Sequence, residues 1–146
     1  MKWLLTAQNI RQMLLLAGVG QVILSLGSLA IPHILSWRKE LAKVQPLIRQ
    51  MFWTYAAYIL VINFCFALVS LLARYDLTNK STLAVLVNAF IALYWISRIG
   101  IQFLYFDRSH FPGGIWHKVG EVLLVALFFL LSIVYSCAFY FNLTQS

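Results

Sequence analysis

Four long apolar runs make up most of the chain, and short polar segments separate them. The runs cover about 12–37, 51–73, 83–106 and 118–141. A helix needs about 20 apolar residues to cross the hydrocarbon core of a bilayer, and lipid accepts only helices or closed barrels. The pattern therefore predicts an all-α integral membrane protein: one domain over 1–146, built as an antiparallel bundle of four transmembrane helices with short loops.

The segments between the runs contain helix breakers and charges. Pro32 cannot donate a helix hydrogen bond, so we expect the first helix to kink or end just before it. Segment 38–50 is rich in charges and contains Pro46, which is suited to open the second helix. The polar turn at 76–81 and the Phe-Pro-Gly-Gly sequence at 111–114 separate the remaining helices.

The first apolar run begins close to Met1, where a secretory signal would also lie. A cleavable signal has an apolar core of about 7–15 residues. This run continues well beyond that length. We therefore interpret it as a retained first helix.

Composition supports a membrane protein. Hydrophobic residues form 62% of the chain and charged residues 10%, against roughly 45–50% and 25% in soluble domains. The net charge of +7 comes mostly from residues in loops and at the ends of the runs, where they meet lipid headgroups. Nucleic acid is therefore not an expected partner, whereas the lipid bilayer is.

Lysine and arginine are distributed unequally between the two sides. Cytoplasmic loops of membrane proteins carry an excess of these residues. Six lie on the side that contains the loops 38–50 and 107–118: Arg38, Lys39, Lys43, Arg49, Arg108 and Lys118. Four lie on the side of both termini: Lys2, Arg11, Arg74 and Lys80. The distribution favours an inner or plasma membrane protein with both termini outside the cytoplasm.

Each apolar run carries polar or small residues on one helical face, and together these faces form a polar seam. The proposed packing residues are Ala17, Gly20, Gly27, Gln21, Ser25, Asn63, Asn88 and Ser132. Polar side chains are costly against lipid, so these faces should turn inward. The seam has two interpretations: it stabilises helix packing, at about 0.6 kcal/mol per hydrogen bond, or it lines a ligand pocket or path.

A candidate ligand site lies toward the cytoplasmic side. Arg98 falls within the third run, where a charge needs a partner or access to the interface. Glu121, near the start of the fourth run, is its expected partner, and Gln102 and Tyr105 follow Arg98 at helical spacing. The group is either a structural ion pair or snorkelling arginine, or a site that handles an anion or a proton.

All three histidines fall on that same side. His33, His110 and His117, with Asp107, offer ligands that zinc, iron or manganese accepts, and two histidines could hold a haem. The spacing matches no known metal motif. The sequence therefore requires no cofactor.

Three functions remain open. The first is a non-catalytic accessory or assembly subunit, or a homo-oligomeric membrane component, because the loops are short and no catalytic spacing is found. The second is a binder or carrier of a lipid- or quinone-like amphipathic ligand at the inner leaflet. The third is a membrane oxidoreductase that uses a histidine-bound metal or haem. Fold analogy alone does not choose among them.

Overall fold

The computed structural model describes residues 3, 5–106 and 113–145. This part of the chain forms α-helices and one short 3₁₀ helix, in the order α1 (Ala7–Ser28), α2 (Ile31–Ile34), α3 (Trp37–Leu41), α4 (Pro46–Leu72), the 3₁₀ helix (Asp76–Thr78), α5 (Thr82–Leu104) and α6 (Ile115–Thr144). Four apolar segments are long enough to cross a membrane: Ala7–Ile34, Pro46–Leu72, Thr82–Leu104 and Ile115–Thr144. The prediction of four long apolar helices is confirmed, and it indicates a membrane location.

The helix boundaries differ from the predicted runs mainly at the start. α1 begins at Ala7 rather than at residue 12, because the Thr6 side chain accepts a hydrogen bond from the Asn9 amide at 3.3 Å and caps the helix. α1 ends at Ser28, and Pro32 occupies the first turn of the short helix α2. Pro46 opens α4.

The four long helices associate as two pairs, α1 with α4 and α5 with α6, and the pairs meet along α1 and α6. Gly18 lets the backbones of α1 and α4 come close: a Cβ added there would lie 2.8 Å from two carbons of the Leu71 side chain. A Cβ added at Gly20 would lie 3.0 Å from the Leu127 side chain on α6. Small residues on α1 thus allow both contacts.

Burial divides the molecule into two parts. Every buried residue of the described chain lies in segments 10–25, 63–95 and 128–142, which we call the closed half. Segments 26–62, 96–106 and 113–127 contain no buried residue, and we call them the open half. The boundary cuts across α4, α5 and α6, so each of these helices is packed at one end and exposed at the other.

A series of aromatic contacts fills the closed half near this boundary. The ring of Phe66 on α4 packs edge-on against Tyr94 at 5.1 Å, and Tyr94 packs against Trp95 at the same distance. Trp95 then lies 5.5 Å from Phe128 on α6. Edge-to-face pairs of this kind are favourable beyond the area that they bury, so the rings link α4, α5 and α6.

The far end of the closed half is held by hydrogen bonds to the turn between α4 and α5. Asn88 and Asn142 both donate from Nδ2 to the Leu77 carbonyl, at 2.9 and 2.7 Å. Asn142 Oδ1 accepts from the Lys80 amide at 2.9 Å, and Lys80 has a left-handed backbone with φ of 61°. Arg11 Nε donates to Thr78 Oγ1 at 2.9 Å. These bonds tie α1, α5 and α6 to one turn.

Candidate functional site

The centre of the closed half contains a polar network that joins three helices. The Tyr135 hydroxyl on α6 accepts a hydrogen bond from Gln21 Nε2 on α1 at 2.5 Å. The same hydroxyl is hydrogen-bonded to Ser70 Oγ on α4. All three side chains are fully buried. Because buried hydrogen bonds between helices stabilise membrane bundles, this network fits the packing interpretation of the polar seam.

The other predicted packing residues fall into two groups. Ala17, Ser25, Asn63, Asn88 and Ser132 are buried in the closed half. Asn63 Oδ1 accepts from the Tyr94 hydroxyl at 2.8 Å, and Ser132 donates to the Phe128 carbonyl at 2.9 Å. Gly20 faces Leu127, whereas a Cβ at Gly27 would meet nothing within 4 Å. Gly18, absent from the predicted set, makes the closest approach.

Several buried polar atoms of the described chain have no hydrogen-bond partner there. They are Gln21 Oε1, Ser25 Oγ, Asn88 Oδ1, Trp95 Nε1 and Arg98 Nε. Leaving such a group unsatisfied costs about 1–3 kcal/mol, and more when it is charged. Trp95 and Arg98 stand out because both are donors, and they lie three residues apart on α5 at the boundary between the two halves.

Arg98 turns toward the interior of the bundle. Its guanidinium carbon lies 5.5 Å from the centroid of the Phe128 ring. Phe128 lies 13 residues into α6, about 20 Å along its axis, and its ring is beside Trp95, one turn before Arg98 on α5. The guanidinium therefore points back along α5 toward Trp95. A snorkelling arginine would instead extend to the nearby end of the helix. The structure thus places a cation against an aromatic face, an arrangement that is favourable when water is excluded.

The expected Arg98–Glu121 ion pair is absent from the described part of the chain, where Lys43–Glu40 is the one pair within 4.0 Å. Glu121 instead accepts from Gln102 Nε2 at 3.5 Å. Gln102 lies one turn beyond Arg98, toward the end of α5. The carboxylate and the guanidinium are therefore held at different levels: one beside Gln102, the other beside Phe128.

Tyr105 does not join this group. It follows the last residue of α5, its side chain is 82% exposed, and its ring lies 6.3 Å from that of Phe106. Of the predicted ligand-binding residues, Arg98, Gln102 and Glu121 face the region between α5 and α6, and Tyr105 lies at the surface.

The inward faces of the helices continue into the open half, where their residues are partly buried or exposed rather than fully buried. On α4, the face that is buried at Asn63 continues toward the helix start at spacings of four and three residues, through Ile59, Ala56, Phe52 and Arg49, none of which is buried. On α5 the same face continues from Trp95 through Ile99 and Gln102. On α6 it continues from Phe128 through Leu124, Glu121 and His117. These faces carry apolar residues and a few polar ones on the same side of the helices as Arg98, and Ile99 and Leu124 among them still pack in part against the core.

The outer side of α4 carries a second pattern. Exposed residues recur at spacings of four and three, in the manner of a heptad seam; we call this set the α4 stripe: Met51, Tyr55, Tyr58, Ile62 and Cys65. Beside its end lies an apolar groove of about 320 Å³ between α4 and α5, which Cys65, Phe66 and Phe90 help to line. The stripe and the groove form one continuous surface.

The histidines do not form a metal site within the described chain. His33 is exposed on α2, and His117 is half-buried in the first turn of α6. His110 and Asp107 lie outside the described residues. Among the residues that are described, no group of three or more histidine, cysteine or acidic side chains is placed to hold a metal ion.

Sequence reasoning did not identify two of the residues that matter here, Asn142 and Tyr58. It places Trp95 and Phe128 on the inward faces of the third and fourth runs, but only the structure shows the Arg98 guanidinium against the Phe128 ring. Asn142 directly follows the fourth apolar run. An asparagine beside about 20 hydrophobic residues is a sequence feature that could have indicated a buried hydrogen bond. Tyr58 lies seven residues inside the predicted second run, and it could have been noticed there because tyrosines prefer the membrane interfaces.

Comparisons of the chain with protein-family models, curated proteins and solved structures find no match.

Proposed function

We propose that this protein is a non-catalytic membrane component that works by associating with another transmembrane helix, as a subunit of a larger assembly or as a homo-oligomer. In this proposal the four long helices cross the bilayer in alternating directions as an antiparallel bundle. Both termini lie outside the cytoplasm, in keeping with the excess of lysine and arginine on the opposite side.

The position of Tyr58 carries the proposal. It lies 12 residues from Pro46, about 18 Å along α4, and therefore near the middle of a 27-residue helix. Its side chain is 61% exposed, and its hydroxyl forms no hydrogen bond within the described chain. A phenol hydroxyl facing the hydrocarbon core has no partner there, and burying it unpaired is costly. A neighbouring helix with an acceptor would satisfy it.

The rest of the α4 stripe supports the same conclusion. Tyr55 is 58% exposed, and Met51 and Ile62 are 45% and 40% exposed. Residues at alternating spacings of four and three form one seam along a helix, which is the surface that another helix packs against. The apolar groove beside Cys65 offers a place for a side chain of that partner.

The test combines native mass spectrometry with oxidation of Cys65. The protein is extracted from membranes in a mild detergent, and the mass of the wild-type complex is compared with the 16.7 kDa chain. A homo-oligomer through the α4 stripe brings two copies of Cys65 close enough for a disulfide, so a Cys137→Ser variant should form a covalent dimer under mild oxidation. The matched Cys65→Ser variant should not. A complex with other polypeptides would assign the subunit role.

Tyr58→Phe removes only the hydroxyl and should weaken association about threefold, since interhelical hydrogen bonds in membranes contribute about 0.6 kcal/mol on average. Tyr140→Phe is the control: Tyr140 is 54% exposed near the end of α6, where a hydroxyl reaches headgroups. A bare monomer in native spectra, together with no Cys65 cross-link, would overturn the proposal.

A further inference from the structure

Arg98 is a cation held inside one of the long apolar helices. It lies six residues before Leu104, the last residue of α5, about 9 Å along the axis. Its Nε is buried without a hydrogen-bond partner, and its guanidinium packs on Phe128 rather than extending outward. Charged side chains at such depth are costly and are usually paired. An anion bound to the Arg98 guanidinium would offset this cost.

The nearest described acid does not provide it. Glu121 is engaged with Gln102 and lies beyond 4.0 Å from Arg98, since no ion pair joins the two. Phe128, which contacts the guanidinium, offers only its ring face. Within the described chain Arg98 thus has a cation–π contact but no counter-ion.

A second unpaired donor lies beside Arg98. Trp95 is fully buried, and its indole Nε1 has no hydrogen-bond partner. Trp95 and Arg98 are three residues apart on α5, so they are neighbours on the helix surface. Both contact the same ring, because Trp95 lies 5.5 Å from Phe128 and so does the Arg98 guanidinium. The charged guanidinium of Arg98 and the neutral indole of Trp95 therefore both pack against the Phe128 ring.

We propose that Trp95 and Arg98 bind the carboxylate of a single-chain amphiphile, such as a long-chain fatty acid. A carboxylate has two oxygens that accept hydrogen bonds, and the buried donors without a partner are Arg98 Nε and Trp95 Nε1. Pairs between arginine and a carboxylate are stronger than neutral hydrogen bonds. A carboxylate carries one negative charge, which the single Arg98 cation offsets, whereas a phosphate monoester carries about −1.5 to −2.

The open half provides the place for the alkyl chain and the route to the site. Phe52 and Ile59 on α4, which are exposed, and Leu124 on α6, which is partly buried against the core, supply apolar surface on this side. The amphiphile enters between the two helix pairs with its tail along this surface. Its carboxylate then binds the Arg98 guanidinium, with the Trp95 indole N–H as the second donor one turn away on the same helix face. This site is separate from the α4 stripe, so it does not depend on the proposed function.

The test measures binding of oleate to the purified full-length protein in detergent micelles by isothermal titration calorimetry. Methyl oleate has the same tail without the charge, and oleyl phosphate keeps the tail and replaces the carboxylate head. We expect saturable binding of oleate with one site per chain. Binding should weaken at least about tenfold in Arg98→Gln and several-fold in Trp95→Phe, because bonds to charged groups are the strong ones. Arg38→Gln, at an exposed cation of α3 outside these faces, is the matched control and should bind like the wild type.

Each alternative result has a definite meaning. Equal binding of oleate by the wild type and Arg98→Gln, or equal binding of oleate and methyl oleate, would overturn the site. Tighter binding of oleyl phosphate would overturn the choice of a carboxylate. If Arg98→Gln does not fold, Arg98→Lys keeps the charge but loses the planar group, and Trp95→Phe still tests the second donor. No loss in either of these variants would also reject the proposal.

Discussion

The closed and open halves are built from the same four helices, yet they pack in different ways. In the closed half, Gly18 lets α1 and α4 approach, and the Gln21–Tyr135–Ser70 network joins three helices. In the open half, α5 and α6 are linked by the Gln102–Glu121 contact at 3.5 Å, and the wall formed by α4 is uncovered. Hydrophobicity is high along the whole of each helix, so it does not account for the difference.

The difference indicates what closes a bundle of apolar helices. Lipid tails are as apolar as leucine, so helices gain little by burying leucine against each other in a membrane. Close backbone approach and interhelical hydrogen bonds decide the packing instead. The closed half has both, whereas the open half has bulky and charged side chains on its inward faces. The proposed carboxylate site lies where one kind of packing gives way to the other.

The largest expected effect is at the end of the closed half. Asn142→Ala removes two hydrogen bonds to carbonyls and the acceptor for the Lys80 amide. Because the freed polar groups are buried, we expect the free energy of unfolding to fall by about 2–3 kcal/mol. The measurement is unfolding in mixed micelles titrated with SDS, followed by circular dichroism. Asn79→Ala is the control, since Asn79 is exposed and its side chain only accepts a hydrogen bond from the Ser81 amide. Equal losses in the two variants would show that the turn is not held by Asn142.

The second prediction concerns the two helix pairs. Gly18→Ala places a Cβ 2.8 Å from the Leu71 side chain and 3.3 Å from the Ala67 carbonyl oxygen, so the Leu71 side chain or the α1–α4 contact must shift. Overpacking of this kind costs about 1–3 kcal/mol. Gly27→Ala is matched in chemistry and lies on the same helix, but its Cβ meets nothing within 4 Å. Since alanine favours helix over glycine, that variant should unfold at the same or a slightly higher SDS concentration. The reverse order of stability would contradict the close contact at Gly18.

The sequence predicted the helices well because length and hydrophobicity determine them. Four runs of about 20 apolar residues admit one arrangement of spans in lipid, and Pro46 marks the start of α4. The spacing of Gln21, Ser25, Asn63 and Asn88 placed them on single faces, and these residues are buried. Local rules were sufficient for these features.

The candidate site was less predictable because it depends on relative helix positions. Glu121 was the expected partner of Arg98 on the basis of depth alone, but depth does not indicate which way a guanidinium turns. The structure places it on Phe128. Likewise, the sequence does not rank the three glycines of α1, whereas the structure places Gly18 against Leu71, Gly20 against Leu127 and Gly27 against nothing within 4 Å. The division into halves had no sequence signal, because the inward faces keep the same periodicity on both sides of the boundary.

The smallest effect is expected in the open half. Gln102→Ala removes a half-buried side chain whose bond to Glu121 is 3.5 Å long, at the outer limit of hydrogen bonding. Nearby groups can reach water or headgroups, so the free energy of unfolding should change by less than about 0.5 kcal/mol. The same SDS titration that detects Asn142→Ala measures this. Since Gln102 is one turn from Arg98, oleate binding by this variant should be within about twofold of the wild type. A stability loss as large as that of Asn142→Ala would mean that the open half is held together as firmly as the closed half, and the distinction between them would fail.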